Sequence, residues 1–255
     1  MSNVRTVSDT KRAFYTHFTR PITPVYRRVI EELMVEMHLL SVSSDFAYDS
    51  LYALGIVNTF DRFMDGYRPE TDKAAIFNAL CQSVESSAEQ YRNDAQQLLD
   101  SLEGMSLEDF KALTTSLEGS GDTGLSGTLK AASQRDRFKY SRAFGLGLYT
   151  ALEKIDSEFV KNKENLMAVF KTAAETLSIS FDKLQKDIEL YSSNLDKMAQ
   201  AKIIMADMLA AERKKREERA QAQTEKDDAT ETTDEASVST SAGETGEAEQ
   251  PKSAE

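Results

Sequence analysis

Between Phe138 and Ile155 the residues Phe138, Ser141, Gly145, Leu148, Leu152 and Ile155 recur at alternating steps of three and four. Phe144, Gly147 and Ala151 fall on nearly the opposite face. The spacing is helical, and a helix that is apolar around most of its circumference is stable only when other elements surround it. This single run therefore predicts a multi-helix bundle with Phe138–Ile155 near its centre. Ser141 and Gly145, small residues four apart, read as the face that a neighbouring backbone approaches, which would offset the roughly 1 kcal/mol that glycine costs inside a helix. The central octamer RAFGLGLY also approximates an RNA-recognition strand signature through Arg142, Phe144, Gly145 and Tyr149. No alternating strands flank it and no second half-motif accompanies it, so nucleic acid is not an expected partner.

Helical punctuation recurs along the rest of the chain. TPVYRRVIEELMVEMHLL opens with Thr23 as a cap and Pro24 at the first helical position, followed by a stripe of Val25, Val29, Leu33, Met37 and Leu40. The next helix is expected to start from Ser44 and to stop at Gly66 and Pro69, with Phe46, Leu54, Val57, Phe60 and Met64 on its apolar face. Further helices follow in TDKAAIFNALCQSV, in SAEQYRNDAQQLLDSL after a break near Ser86 and Ser87, and in SLEDFKALTTSL, where Ser106 and Asp109 have capping-box spacing. Two more read between Thr128 and Leu177. The last helix runs from Ser180 to about Ala220, with Phe181, Leu184, Ile188, Tyr191, Leu195 and Met198 at coiled-coil spacing until Lys202 breaks the phase. The fold class is thus all-α: a helical bundle of about eight helices over 1–179, a long projecting C-terminal helix over 180–220, and a disordered acidic tail over 221–255.

Charge supports that division. The chain carries a net −12, of which the segment from Gln221 onward holds −8, leaving −4 on the first 220 residues. A body so weakly charged lacks the clustered positive surface that phosphate backbones require. The tail is rich in Glu, Ser, Thr and Ala and holds too few large apolar residues to order itself. No run reaches the roughly 18 apolar residues of a bilayer span, and MSNVRTVSDTKRAF has no apolar signal core, so a soluble or peripheral protein is expected.

Catalytic and ligand-binding patterns are absent or incomplete. The glycine-rich EGSGDTGLSG places Gly119, Gly124 and Ser126 in phosphate-loop register, but Leu125 stands where the loop needs lysine, and a helix precedes it where a strand is required. His17 and His38 lack the glutamate three residues before them that a bundle di-iron site uses; Phe14 and Val35 stand there instead. Cys81, the single cysteine, reads as a small core hydrophobe. Glu31, Glu32 and Glu36 read as a solvated helix face. No catalytic, cofactor-binding or metal-binding residue is assigned, and an enzyme is not expected.

Three runs carry a family likeness: FKYSRAFGLGLYTALEK, TVSDTKRAFYTHFTRPITPVYRRVIEELMVEMHLL and YDSLYALGIVNTFDRFMDGYRPE. Together they make the chain resemble, from about Thr6 to about Arg216, the thylakoid formation family, also described as a photosystem II biogenesis factor of cyanobacteria and plastids. The resemblance implies a non-enzymatic helical protein without cofactors, held peripherally on the cytoplasmic face of thylakoid membranes. It further implies a role in photosystem II biogenesis and repair through binding and maintenance of FtsH-type protease complexes, with photosystem II assembly intermediates as further partners. A start almost directly at the family core, without a transit peptide, fits a cyanobacterial-type source.

Two basic clusters are the candidate contacts with a partner or membrane. Arg12, Arg20, Arg27 and Arg28 interleave with Phe14, Tyr15, Phe18 and Tyr26; Arg135, Arg137, Lys139 and Arg142 surround the start of the glycine-bearing helix. The basic aromatic amino end and the run ERKKREER also suit an alternative role, a peripheral lipid-binding protein that organises membranes.

Overall fold

The computed structural model describes residues 5–117 and 121–234, with side chains as far as Arg219. Among the described residues there are ten α-helices, one short 3₁₀ turn and no strand. They are α1 Val7–His17, α2 Pro24–Ser41, α3 Ser50–Phe63, α4 Asp72–Ser83, α5 Ala88–Asp100, α6 Leu107–Thr115, α7 Gly124–Ser133, α8 Arg142–Ile155, α9 Lys163–Thr176 and α10 Phe181–Asp234. Two of them exceed the expected count. α1 is nucleated by a capping box in which Thr6 and Asp9 satisfy each other's backbone N–H, and α7 begins at Gly124 directly out of the glycine-rich stretch. The Ser106 and Asp109 capping box forms as its spacing predicts.

Two starts differ from expectation. α3 begins at Ser50, capped by Asp49, whose carboxylate accepts from the Tyr52 N–H at 2.8 Å, and not from Ser44. The rings of Phe46 and Tyr48 sit edge-on to Tyr52 at 4.8 and 5.9 Å, an arrangement that holds this segment outside the helix. α8 begins at Arg142. Ser141 is its N-cap, accepting from the Phe144 N–H at 3.1 Å, so RAFGLGLY opens a buried helix and does not lie mid-helix. On α2 the buried stripe is Tyr26, Ile30, Leu33, Met34, Met37 and Leu40, whereas Val25 faces solvent.

α3 and α8 form an extensive helix pair, and both are buried on most sides. Glycine makes the pairing feasible. A Cβ on Gly147 would lie 1.9 Å from the Leu51 carbonyl oxygen, and one on Gly55 would lie 1.8 Å from that of Ala143. Each helix thus receives the other's backbone. The close approach expected at Ser141 and Gly145 occurs instead at Gly147: a Cβ on Gly145 would meet only side-chain ends, Tyr140 Oη at 2.4 Å and Leu184 Cδ1 at 2.8 Å.

The remaining helices pack around this pair, with α5 against α3, α1 against α4, and α6 against α9. His38 is buried between α1 and α2, where its Nδ1 shares a 2.8 Å hydrogen bond with Thr10 Oγ1. Burial, reinforced by the Arg5 guanidinium, holds its imidazole below the usual range. The unfolded chain takes up this proton near pH ~6.5 while the folded protein resists it. The associated stability is therefore complete above that pH and is lost as pH falls toward the folded value. We expect the wild-type melting temperature to drop between pH 7 and 5 more steeply than that of His38→Gln. Parallel slopes in thermal unfolding would rule the coupling out.

The described residues up to Ala199 form one compact unit and those from Gln200 a second. The first extends past the expected boundary at 179/180 because Leu184, Ile188, Tyr191 and Met198 of α10 are buried. There Tyr191 Oη accepts from Asn58 Nδ2 at 3.2 Å, and the same amide donates to Thr150 Oγ1 at 2.8 Å, joining α3, α8 and α10. Beside them Arg62 is ion-paired with Glu153. In the second unit the backbone of α10 is helical as far as Asp234, beyond the expected end near Ala220. Most residues just past that point, including Gln221, Ala222, Gln223 and Glu225, are favourable helix formers. Residues 235–255, most of the acidic tail expected to be disordered, lie outside the described residues.

Candidate interaction surfaces

The amino-terminal arginines are engaged mainly with carboxylates of the same chain. Arg12 lies 3.7 Å from Asp9, and Arg28 is paired with Glu32 one turn along α2 at 3.1 Å. Arg20 reaches the buried carboxylate of Asp72 at the start of α4 at 2.8 Å and stacks over Phe18 with 5.2 Å to the ring centroid. Arg27 is exposed on α2. Phe14, Phe18 and Tyr26 are buried, and Tyr15 is half-buried, so the aromatics dock on the bundle while the arginines stay at its surface.

The second cluster lies at the entrance to α8, and its most consequential member faces inward. Arg142 donates from Nε and Nη2 to Glu36 Oε2 at 2.9 and 2.6 Å, while Glu36 Oε1 accepts from the Ala143 N–H at 3.0 Å. Side-chain exposures of 30% and 14% make this a largely enclosed clamp between α2 and α8. The carboxylate also lies at the positive end of the α8 dipole. Glu36 is thus not part of a solvated acidic face; Glu31 likewise pairs with Lys11 at 2.8 Å. Arg135 lies 3.7 Å from the α3 cap Asp49, Arg137 lies 3.8 Å from Asp45, and Lys139 is exposed. Next to the clamp Tyr140 donates to Asp187 of α10 at 3.0 Å, with the Lys183 ammonium over its ring.

Among the described residues, Cys81, His17 and His38 lie apart. Cys81 is buried, and burial pushes its thiol up to about 12, far from a reactive thiolate. His17 lies on the surface of α1, remote in role from the buried His38. Gly119 of the near phosphate loop lies outside the described residues, and Leu125, at the lysine position, is buried in the core. Among the described residues no group of three or more His, Cys, Asp and Glu is placed to hold a metal ion, and no helix is long and apolar enough to cross a membrane. A crevice between α6, α7 and α9, lined by Leu113, Leu117, Leu129 and Leu177, is too tight for a water-sized molecule.

Two exposed apolar sets stand out; the first was not marked by periodicity, whereas the apolar spacing of the last helix resumes less strictly past Lys202 through Met205, Met208 and Leu209. Val35, Leu39 and Val42 follow one another at steps of four and three on the outer side of α2 and its end. In the second unit Ile203, Ile204, Met208 and Leu209 are all more than half exposed. Sequence carried a signal for both. At helical spacing the α2 residues lie nearly opposite the buried stripe, and the α10 residues lie past the phase break at Lys202.

These features define an all-α bundle protein whose described polar groups mainly hold its own helices together. Residues 6–220 match the model of the thylakoid formation protein family. The chain is 53% identical over 227 residues to Protein Thf1 of Nostoc punctiforme, covering 88% of this chain and 96% of that one. It is 54% identical over 216 residues to Protein Thf1 of Crocosphaera subtropica, covering 85% and 88%. The solved structure of Psb29 at 1.55 Å superimposes with a TM-score of 0.73 and 40% identity over 83% of this chain and 98% of that one. The chain belongs to the thylakoid formation protein family.

Proposed function

We propose that this protein is a non-catalytic accessory factor for photosystem II biogenesis and repair. It acts on the cytoplasmic face of the thylakoid by binding FtsH-type protease complexes and keeping them assembled, with photosystem II assembly intermediates as further contacts. The observation that carries this reading is the family match across nearly the whole described bundle. The chemistry of the fold agrees with a binding role. A protein that binds only the assembled state stabilises it by mass action, about 2.7 kcal/mol when present at a hundredfold excess over its Kd, with no bond made or broken. The lipid-binding alternative draws on the run Arg213–Arg219. The pairing of Arg12, Arg20 and Arg28 with carboxylates reduces the charge left for it at the amino end.

Deleting the gene in a cyanobacterial host should lower the abundance of the membrane protease complex several-fold and slow photosystem II recovery under strong light. Unchanged protease levels with normal recovery would refute the proposal.

A further inference from the structure

From Gln200 to Ala211 one face of α10 carries Ala201, Ile204, Met205, Met208, Leu209 and Ala211 within a half-turn arc, as successive rotations of 100° place them. Ile204, Met208 and Leu209 are 56%, 67% and 60% exposed, so most of the stripe is uncovered, while Ala201 and Met205 are half-buried. Over the next two turns that same arc carries Glu212 and then becomes basic with Lys215, Arg216 and Arg219, and all four are exposed. Apolar and cationic chemistry are thus segregated along the helix axis.

That axial order selects the kind of partner. A helix lying in a membrane interface keeps its cations on the polar face along the whole length of the apolar one, so that both meet the lipid together. Here the cations would instead interrupt the inserting face. Two copies of this chain aligned in parallel would set the basic turns against each other, and the apolar stripe is shorter than the three to four heptads of a self-sufficient coiled coil. A protein groove satisfies both ends: apolar for about three turns, roughly 16 Å at 1.5 Å per residue, then rimmed with carboxylates.

We infer that residues 201–219 of α10 are a docking helix for an apolar groove with an acidic rim on a partner protein. The inference deepens the function proposed above and rests on it, because it assigns the surface by which the chain would hold the membrane protease complex.

The test uses the full-length chain and the purified, detergent-solubilised protease complex. It compares wild type with Ile204→Asp/Met208→Asp and with Lys215→Glu/Arg216→Glu/Arg219→Glu. All three should melt at the same temperature, because the altered side chains are exposed. The apolar pair should weaken binding at least tenfold at every salt concentration. The charge triple should weaken it at low salt and flatten the salt dependence. If wild type binds the complex and both variants bind equally well, the docking helix is wrong while the proposed function stands. If wild type does not bind and gene deletion leaves the complex intact, the proposed function itself falls and the assignment falls with it. Flotation with anionic phospholipid vesicles that depends on these residues without any protein partner would overturn the inference in favour of a lipid site. Concentration-dependent dimerisation in analytical ultracentrifugation, abolished by the apolar pair, would overturn it in favour of self-association.

Discussion

Gly147→Ala should destabilise the protein by about 3 kcal/mol, the upper end of the cost of overpacking a core, even though alanine gains about 1 kcal/mol over glycine in a helix. The added methyl would lie 1.9 Å from the Leu51 carbonyl oxygen, which belongs to the backbone of α3 and cannot yield without moving that helix. Gly145→Ala is the matched control two residues away. Its methyl meets the ends of two side chains, Leu184, which can turn aside, and Tyr140, which can shift at the expense of its hydrogen bond to Asp187, and the change should cost about 1 kcal/mol. For a chain of this size the first substitution corresponds to a fall in melting temperature of about 6–12 °C. Equal melting temperatures for the two variants would show that the helix pair does not depend on backbone contact.

Glu36→Ala should be the second large effect, about 2 kcal/mol. It removes the acceptor of the Ala143 N–H and leaves the Arg142 guanidinium without its carboxylate in an enclosed site. The figure sits below that of a fully buried pair because about a third of the Arg142 side chain reaches water. Glu36→Gln keeps the amide acceptor and should recover roughly half of the loss. A double-mutant cycle with Arg142→Ala separates the terms, and a coupling near zero would mean the guanidinium is not held by Glu36.

These two sites mark where sequence reading stopped. The helical class was legible because the three-and-four spacing persists from Val29 to Met198 and is capped locally, as at Ser106 with Asp109. The burial of Gly145 and Gly147 followed from a helix apolar on most sides. Their partner was less visible: Gly55 sits inside LYALGIVNTF with no local reason for a glycine, and its reason is Ala143 on another helix. Glu36 and Arg142 lie 106 residues apart, so nothing near either announces the clamp. The start of α3 lies at Asp49 and not Ser44, because Asp49 caps the Tyr52 N–H and the Phe46 and Tyr48 rings between the two candidates pack on Tyr52. Of the candidate contacts, arginine spacing did not reveal the carboxylates with which Arg12, Arg20, Arg28, Arg135, Arg137 and Arg142 pair.

The enclosed thiol of Cys81 gives this bundle a built-in clock. Burial pushes the thiol up to about 12, so little thiolate forms near neutral pH, and the sulfur is sealed from solvent in the folded state. A disulfide reagent can therefore capture it only when the bundle opens. Because the chain contains no other cysteine, the labelling rate of the native protein reads the population of that open state while reclosing outpaces the reagent, and the opening rate itself once the reagent is saturating.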